Sequence, residues 1–233
     1  MQLAETHCSM SAVTPARTAW PLVSVIIPCH NAMPWLEECL ASCATQDYAG
    51  PLEVSIFDDS SSDGSQACIR AWAERLQDAG VKCVCHGNRW PESASSDANA
   101  PAGGAGRARN RAVAQSSGTY LCFMDADDVM LSHRVRRQLE AAMLHPRAII
   151  GGGFVKVPAG ATEHYAKWAN DMDESQLWLQ HFREITVLMP TWFFAREIFD
   201  RVCGFVEADP TAEGEAEDLI FFHAHISLEL RWV

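Results

Sequence analysis

Apolar positions along this chain fall into short β-branched runs that alternate with stretches of helical spacing. Residues 23–27 form a compact run closed by Pro28, the pattern of a strand buried on both faces in a parallel sheet. Residues 35–43 then place apolar side chains at helical intervals. A second strand is predicted over 52–57, ending in Asp58-Asp59. The serines of 60–65 are positioned to cap a helix whose apolar face comprises Ala67, Ile69, Trp72, Ala73 and Leu76, and Gly80 stops it. A third short strand follows over 81–85. Strand alternating with helix predicts an α/β fold built on a doubly wound, mainly parallel, Rossmann-like sheet.

Residues 90–106 are rich in serine, alanine, glycine and proline without an apolar period, and read as a mobile loop. A helix is predicted over 107–115, then a strand over 119–124 that runs directly into Asp125-Ala126-Asp127-Asp128. Ser132 is placed to cap a helix reaching about 144, and 148–157 reads as a strand interrupted by Gly151, Gly152 and Gly153. Further on come a tryptophan-rich helical stretch at 177–182, an apolar run at 185–189 and a helix over 196–202 closed by Gly204. Residues 1–20 are polar and aperiodic and read as a flexible arm, which leaves 21–233 as a single domain of suitable size.

Composition narrows the function classes. With 48% hydrophobic and 21% charged residues the chain has the make-up of a folded globular protein. A formal net charge of -12 argues against a nucleic-acid partner, so Arg107, Arg109 and Arg111 call for a local anionic site instead. The nine cysteines show no repeated C-x-x-C spacing and several sit in strand-like runs, as buried thiols in a reducing compartment do. Cys83 and Cys85 are spaced too closely for a usual zinc pair. The first twenty residues lack a signal-peptide core, and no apolar run reaches the ~18 residues of a membrane span, so a cytoplasmic location without a membrane segment is expected.

Two acidic clusters each follow a predicted strand, which directs both to the carboxyl edge of the sheet, where open α/β sheets bind ligands. Either cluster alone reads equally as a helix cap or a solvated turn; together, and with an arginine-bearing helix, they read as a site. Asp125 and Asp127, alternating along the chain, can face one hard cation, magnesium or manganese, that completes its shell with water or phosphate. A cation so held neutralises charge on a departing diphosphate, which points to a phosphate-containing donor. His223 and His225 are two apart and would not share a helix face as a metal pair. Trp178 and Trp192 read equally as sugar-stacking or core residues. The glycines at 151–153 lack the setting of a dinucleotide fingerprint.

The stretches VSVIIPCHNA (23–32), FDDSSSDGS (57–65), GAGRARN (104–110), GTYLCFMDADD (118–128) and AEDLIFF (216–222) together resemble glycosyltransferase family 2, in the family's order and over nearly all of the chain from Pro21. Within it, AQSSGTYLCFMDADDVM (114–130) and MPTWFF (189–194) are similar to β-1,3-N-acetylglucosaminyltransferase-like proteins. The resemblance implies a GT-A fold, a UDP-sugar donor with N-acetylglucosamine suggested, a hydroxyl acceptor, and Mn2+ or Mg2+. It puts Pro28 and Asn31 in the nucleotide pocket, Asp59 on the uracil ring and Arg109 on the nucleotide or its phosphates. Asp125 would serve ribose and metal, and Asp127 would coordinate the metal directly. Asp218 would be the base that deprotonates the acceptor as it attacks the anomeric carbon, with inversion; without the resemblance it reads as a first-turn helix carboxylate.

Members of the family continue past this region with a strand and a segment that closes over the diphosphate, whereas this sequence ends at Val233. A truncated carboxyl end and slow transfer are therefore expected. Arg231-Trp232 is similar to a pair in polymerising members, but Leu228 stands where they have glutamine, so that match is not credited. Two alternatives stay open: a catalytically silent nucleotide-sugar binder, and a nucleotidyltransferase. The last would need a glycine-rich, lysine-bearing loop where this chain has Pro28-Cys29-His30-Asn31.

Overall fold

The computed structural model describes residues 19–90, 101–158, 160, 162–173, 175–177, 187–207, 216–228 and 231–232. Strand β1 (Val23–Cys29) is buried on both faces because helices cover each of them. Val23, Val25 and Ile27 point into one layer, where they meet α1 (Leu36–Ala44), α2 (Ser65–Asp78) and α4 (Arg134–Leu144) through Leu36, Leu40, Ile69, Leu76, Val135 and Leu139. Ile26 points into the other, formed by Ala108, Ala112 and Val113 of α3 (Ala105–Gln115) with the aromatic group Trp192, Phe194, Phe205, Phe221 and Phe222. Cys29, Cys39, Cys43 and Cys122 all belong to the α1 layer, and the aromatic layer contains no cysteine among the described residues. The thiols are free; burial, the leading cause, pushes Cys29 up to about 12 and raises Cys39 and Cys43 as well.

The main sheet has the order β3-β2-β1-β4-β6, with β2 (Leu52–Asp58), β3 (Lys82–Gly87) and β4 (Tyr120–Phe123) parallel to β1, and β6 (Phe193–Ala195) antiparallel to β4. From β1 the chain therefore builds outward in both directions, the condition for a crevice at the strand ends. That crevice can be traced to register. β1 pairs with β2 as far as Cys29 and Asp58, but with β4 only as far as Ile26 and Phe123. The Ile26 carbonyl accepts from Met124 on the β4 side, while Cys29 accepts from Asp59 on the β2 side, so position 28 faces β4 beyond the point where β4 has ended. A proline there leaves no donor orphaned.

At the opposite end of the sheet a polar tie replaces apolar packing. Buried Glu53 accepts from the hydroxyls of Ser24 (2.7 Å) and Ser117 (2.8 Å), the Ser117 amide (2.7 Å) and Lys82 Nζ (2.5 Å). Burial by itself would raise its pKa; the hydrogen bonds from Lys82, Ser117 and Ser24 outweigh that and hold the carboxyl below its usual range.

The second half departs from the sequence-based expectation in several places. The strand predicted over 148–157 is only β5 (Ala148–Ile149), paired with β7 (Arg231–Trp232), plus a bridge from Ile150 to Phe193. At Gly151 a Cβ would lie 2.4 Å from the Val187 side chain, which accounts for glycine at this position. β6 has no sequence counterpart, because three buried residues are too short a run to show a period. Trp90 belongs to the core rather than to a mobile loop, since its indole donates to Asp58 (2.9 Å). Trp192 is fully buried and is a core residue; Trp178 lies outside the described residues, as do 1–18 of the predicted arm and 178–182 of the predicted helix. His223 is exposed and His225 buried, on different sides of their helix. Among the described residues, no helix is long and apolar enough to cross a membrane.

Candidate functional site

The loop after β1 and the loop after β2 are sewn together by short side chains. Asn31 adopts a left-handed backbone (φ 49°), a conformation asparagine tolerates better than most residues. Its amide donates to the Ser61 hydroxyl (2.9 Å) while its side-chain oxygen accepts from the Ser62 amide (2.8 Å). The Ala32 amide donates to Ser65 Oγ (3.0 Å) and the Met33 amide to Asp63 Oδ2 (2.9 Å). The serine-rich segment thus fixes the cleft wall; α2 begins after Gly64 in a left-handed conformation, and its first amide, that of Ser65, donates to Asp63 Oδ1 (3.0 Å).

A cleft of about 370 Å3 opens above this seam. Pro28, Asn31, Asp59, Arg109, Asp125 and Asp127 all line it, so six of the seven residues singled out from sequence converge there. Asp59 is buried at its β2 end: Oδ2 accepts from the amides of Gly103 (2.8 Å) and Gly104 (2.9 Å), and Oδ1 from Asn88 (2.7 Å), with Arg107 3.8 Å away. A carboxylate has about four acceptor positions, so Asp59 keeps capacity for one more donor.

At the β4 end, the strand stops at Phe123 and a turn closed by the Asp128 amide on the Asp125 carbonyl (3.2 Å) gathers three carboxylates. Ligand oxygens of Asp125, Asp127 and Asp128 lie within 4.8 Å of one another. Strand alternation, which would have left Asp128 on the far side, does not apply, because the chain is turning here. Burial first, then the charges of Asp125 and Asp127, raise the Asp128 pKa to about 6, against the opposing influence of Arg134 and Lys156. Three hard oxygen donors that repel one another suit a divalent cation of the magnesium or manganese kind.

The GAGRARN segment turns out to be a docking device for a distant helix. Gly104 has φ +89°, and at Gly106 a Cβ would meet the Val206 carbonyl at 2.4 Å and Glu217 at 3.2 Å. Arg109, buried on α3, donates to Asp125 Oδ1 (2.9 Å) and to Glu217 Oε1 (2.5 Å), while its Nε has no partner among the described residues. Asn110 clamps the chain that follows α6 (Arg196–Val202), donating to the Phe205 carbonyl (2.8 Å) and accepting from its amide (2.9 Å). The predicted arginine cluster is therefore divided: Arg107 approaches Asp59, Arg109 bridges two acids, and Arg111 is exposed.

Asp218 lies in the first turn of α7 (Glu217–Ser227), with Oδ1 on the Leu219 amide (2.8 Å). It is not among the residues lining the cleft; its neighbour Glu217 is the one tied to the acidic turn. Sequence reasoning missed the parts played by Asp128, Glu217 and Asn88. For the first two the signal was present, as an acid directly beside one already chosen; for Asn88 there was none.

Residues 24–203 match the family described as Glycosyl transferase family 2. A Bacillus subtilis (strain 168) relative described as an uncharacterized glycosyltransferase, EpsJ, is 29% identical over 191 residues, 78% of this chain and 50% of its own. Among solved structures, S. aureus TarS in complex with UDP-GlcNAc superposes with a TM-score of 0.62 at 18% identity, covering 91% of this chain and 55% of that one. The mannosyltransferase PcManGT of Pyrobaculum calidifontis, in complex with GDP-Man and Mn2+, gives a TM-score of 0.62 at 22% identity over 97% of this chain and 57% of that one. The chain thus spans about half the length of EpsJ and of the PcManGT chain, and of the 1–349 segment of TarS in that structure.

Proposed function

Because the chain belongs to glycosyl transferase family 2 and has the GT-A fold, we propose that this glycosyltransferase moves a sugar, N-acetylglucosamine by preference, from a UDP donor to a hydroxyl acceptor with inversion. One observation carries the reading: a single cleft is lined by a deeply set carboxylate, Asp59, on the β2 side and by Asp125 and Asp127 on the β4 side, with Asp128 clustered beside that pair. A nucleoside diphosphate matches that polarity, with a base that offers N–H donors at one end and phosphates that need a cation at the other. UDP-GlcNAc in the TarS complex and Mn2+ in the PcManGT complex support the choice of donor and metal.

Asp59 would accept from the uracil ring, and Pro28 and Asn31 would flank the base. Asp125, Asp127 and Asp128 would hold Mn2+ or Mg2+, which when bound supplies the charge neutralisation that a departing diphosphate needs. Arg109 directs one terminal nitrogen to Glu217 and the other to Asp125, which leaves three of its five N–H donors; it would set α7 relative to the acidic turn and, from the cleft lining, help hold the nucleotide or its phosphates. Asp218 would take the acceptor proton. The placement of Asp218 outside the cleft lining favours a second reading, a nucleotide-sugar binder that does not catalyse transfer.

Calorimetric titration with UDP-GlcNAc, with and without Mn2+, followed by a transfer or hydrolysis assay, separates these. The expected result is metal-dependent binding that Asp127→Ala uncouples from Mn2+, and transfer that Asp218→Asn removes while donor affinity stays within about twofold. An Asp127→Ala protein with an unchanged Mn2+ response refutes the metal assignment; undiminished transfer by Asp218→Asn refutes the base, and no transfer by the unaltered chain leaves the binder.

A further inference from the structure

Among the described residues that line the cleft, Trp35 is the one tryptophan, tyrosine or phenylalanine, the others being small or polar, and it is 54% exposed. An open indole at a cleft mouth is an unusual use of the largest apolar side chain, which normally gains most by burial. Its backbone, by contrast, is fixed. The Trp35 amide donates to the Ala32 carbonyl (3.0 Å), within the same loop whose Ala32 and Met33 amides are tied to Ser65 and Asp63.

Its direction follows from helix geometry. The Cys39 amide donates to the Trp35 carbonyl (3.2 Å), so Trp35 sits one turn before Cys39 on the same side of the helix. Cys39 in turn points its thiol at the Asp125 carbonyl (3.7 Å). Trp35 therefore stands beside the acidic turn, on the opposite side of β1 from Asp59, and Val129, 60% exposed, follows directly on that turn. Trp35 thus brings exposed apolar surface to the same cleft as Asp125 and Asp127.

Resting on the nucleotide-sugar reading above, we propose that Trp35 is a stacking platform for the ring of a carbohydrate acceptor. Pyranose rings present a face of C–H groups that packs on an indole, and their hydroxyls remain free to project from the edge. The donor's own sugar is tethered through its diphosphate to the carboxylates; the second substrate arrives from solvent, and that is the side to which this indole is open. An acceptor hydroxyl carried on a sugar would thus be presented next to the acidic turn.

The test uses the full chain loaded with UDP and Mn2+, with N-acetylglucosamine and its β-1,4-linked dimer as probes, read by saturation-transfer NMR and by tryptophan fluorescence. Trp35→Ala is expected to weaken saccharide binding about fivefold to tenfold, and Trp35→Phe to restore most of it, as stacking without the second ring allows. UDP affinity by calorimetry should stay within about twofold in both variants, which also shows that they are folded. Equal saccharide binding by Trp35→Ala and the unaltered protein overturns the proposal, as does a selective loss of UDP-GlcNAc affinity, which would give Trp35 to the donor. Tight UDP binding with no saccharide binding overturns the platform alone, whereas failure to bind UDP overturns the parent reading.

Discussion

Replacing Arg109 by alanine removes a guanidinium with a 6% exposed side chain from between two carboxylates that are 31% and 25% exposed. Breaking a fully buried pair costs roughly 3–5 kcal/mol, and partial exposure of both acids moves the figure down, to about 2–3 kcal/mol. In a domain of this size that corresponds to a fall in Tm of roughly 4–12 °C. The perturbation has a signature beyond lost stability. Asp125 regains an oxygen and the acidic turn loses a neutralising charge, so Mn2+ binding in the absence of nucleotide should tighten while the protein as a whole weakens. Urea denaturation gives the first quantity and calorimetry with MnCl2 the second. Arg109→Lys should recover less than half of the stability, because an ammonium cannot donate along two directions fixed by one plane. Glu217→Gln should cost at least ~1 kcal/mol less in the Arg109→Ala background than in the unaltered chain. Additive effects within ~0.5 kcal/mol, or full rescue by lysine, would refute the bridge as the link between α3 and α7.

Asp59→Ala should weaken binding of uridine and of UDP alike, by about tenfold or more, since the lost contact is to the base and the Gly103 and Gly104 amides lose their acceptor as well; a loss seen with UDP and not with uridine contradicts the role. Glu53→Gln places an N–H2 group against either Lys82 or the Ser117 amide, which donate to different oxygens of Glu53, and should destabilise by about 1–3 kcal/mol at neutral pH without changing nucleotide affinity. The Glu53 carboxyl is held below its usual range in the folded protein, so its contribution is complete above the unfolded value near ~4.3 and is lost as pH falls through the folded one. The deficit of Glu53→Gln should accordingly shrink on acidification below about pH 4; a pH-independent deficit in denaturation experiments would show that shape, not charge, is what Glu53 provides.

What was legible in the sequence follows from where each signal originates. The β1, β2 and β4 runs stand out as short, mainly apolar stretches because these strands are buried, and the acids that follow β2 and β4 are local in sequence, so Asp59, Asp125 and Asp127 could be found without coordinates. Asp128 was passed over because strand alternation was extended to Asp125 and Asp127, past the end of the strand at Phe123. Arg109 and Asn110 illustrate a different limit. Their residue types suit a phosphate site, and nothing near them in sequence tells that their partners lie 108 and 95 positions away, on α7 and at Phe205. The short β5 and β6 owe their existence to neighbours already in place, and such elements have no period of their own to read.

The confinement of the buried cysteines, among the described residues, to the α1 face of the sheet gives the molecule a built-in set of chemical reporters. Thiol reagents can reach Cys39, Cys43 and Cys122 only if the α1 side lifts from the sheet, and an opening of the aromatic side would leave them untouched. Cys203 is exposed and provides an internal reference for reagent activity. Cys29 sits in the floor of the cleft, beneath the position assigned to the nucleotide. Its labelling rate would register site occupancy, while Cys43, deeper in the same layer, would register only the breathing of the layer itself, so one time course on the native chain separates ligand protection from fold stability.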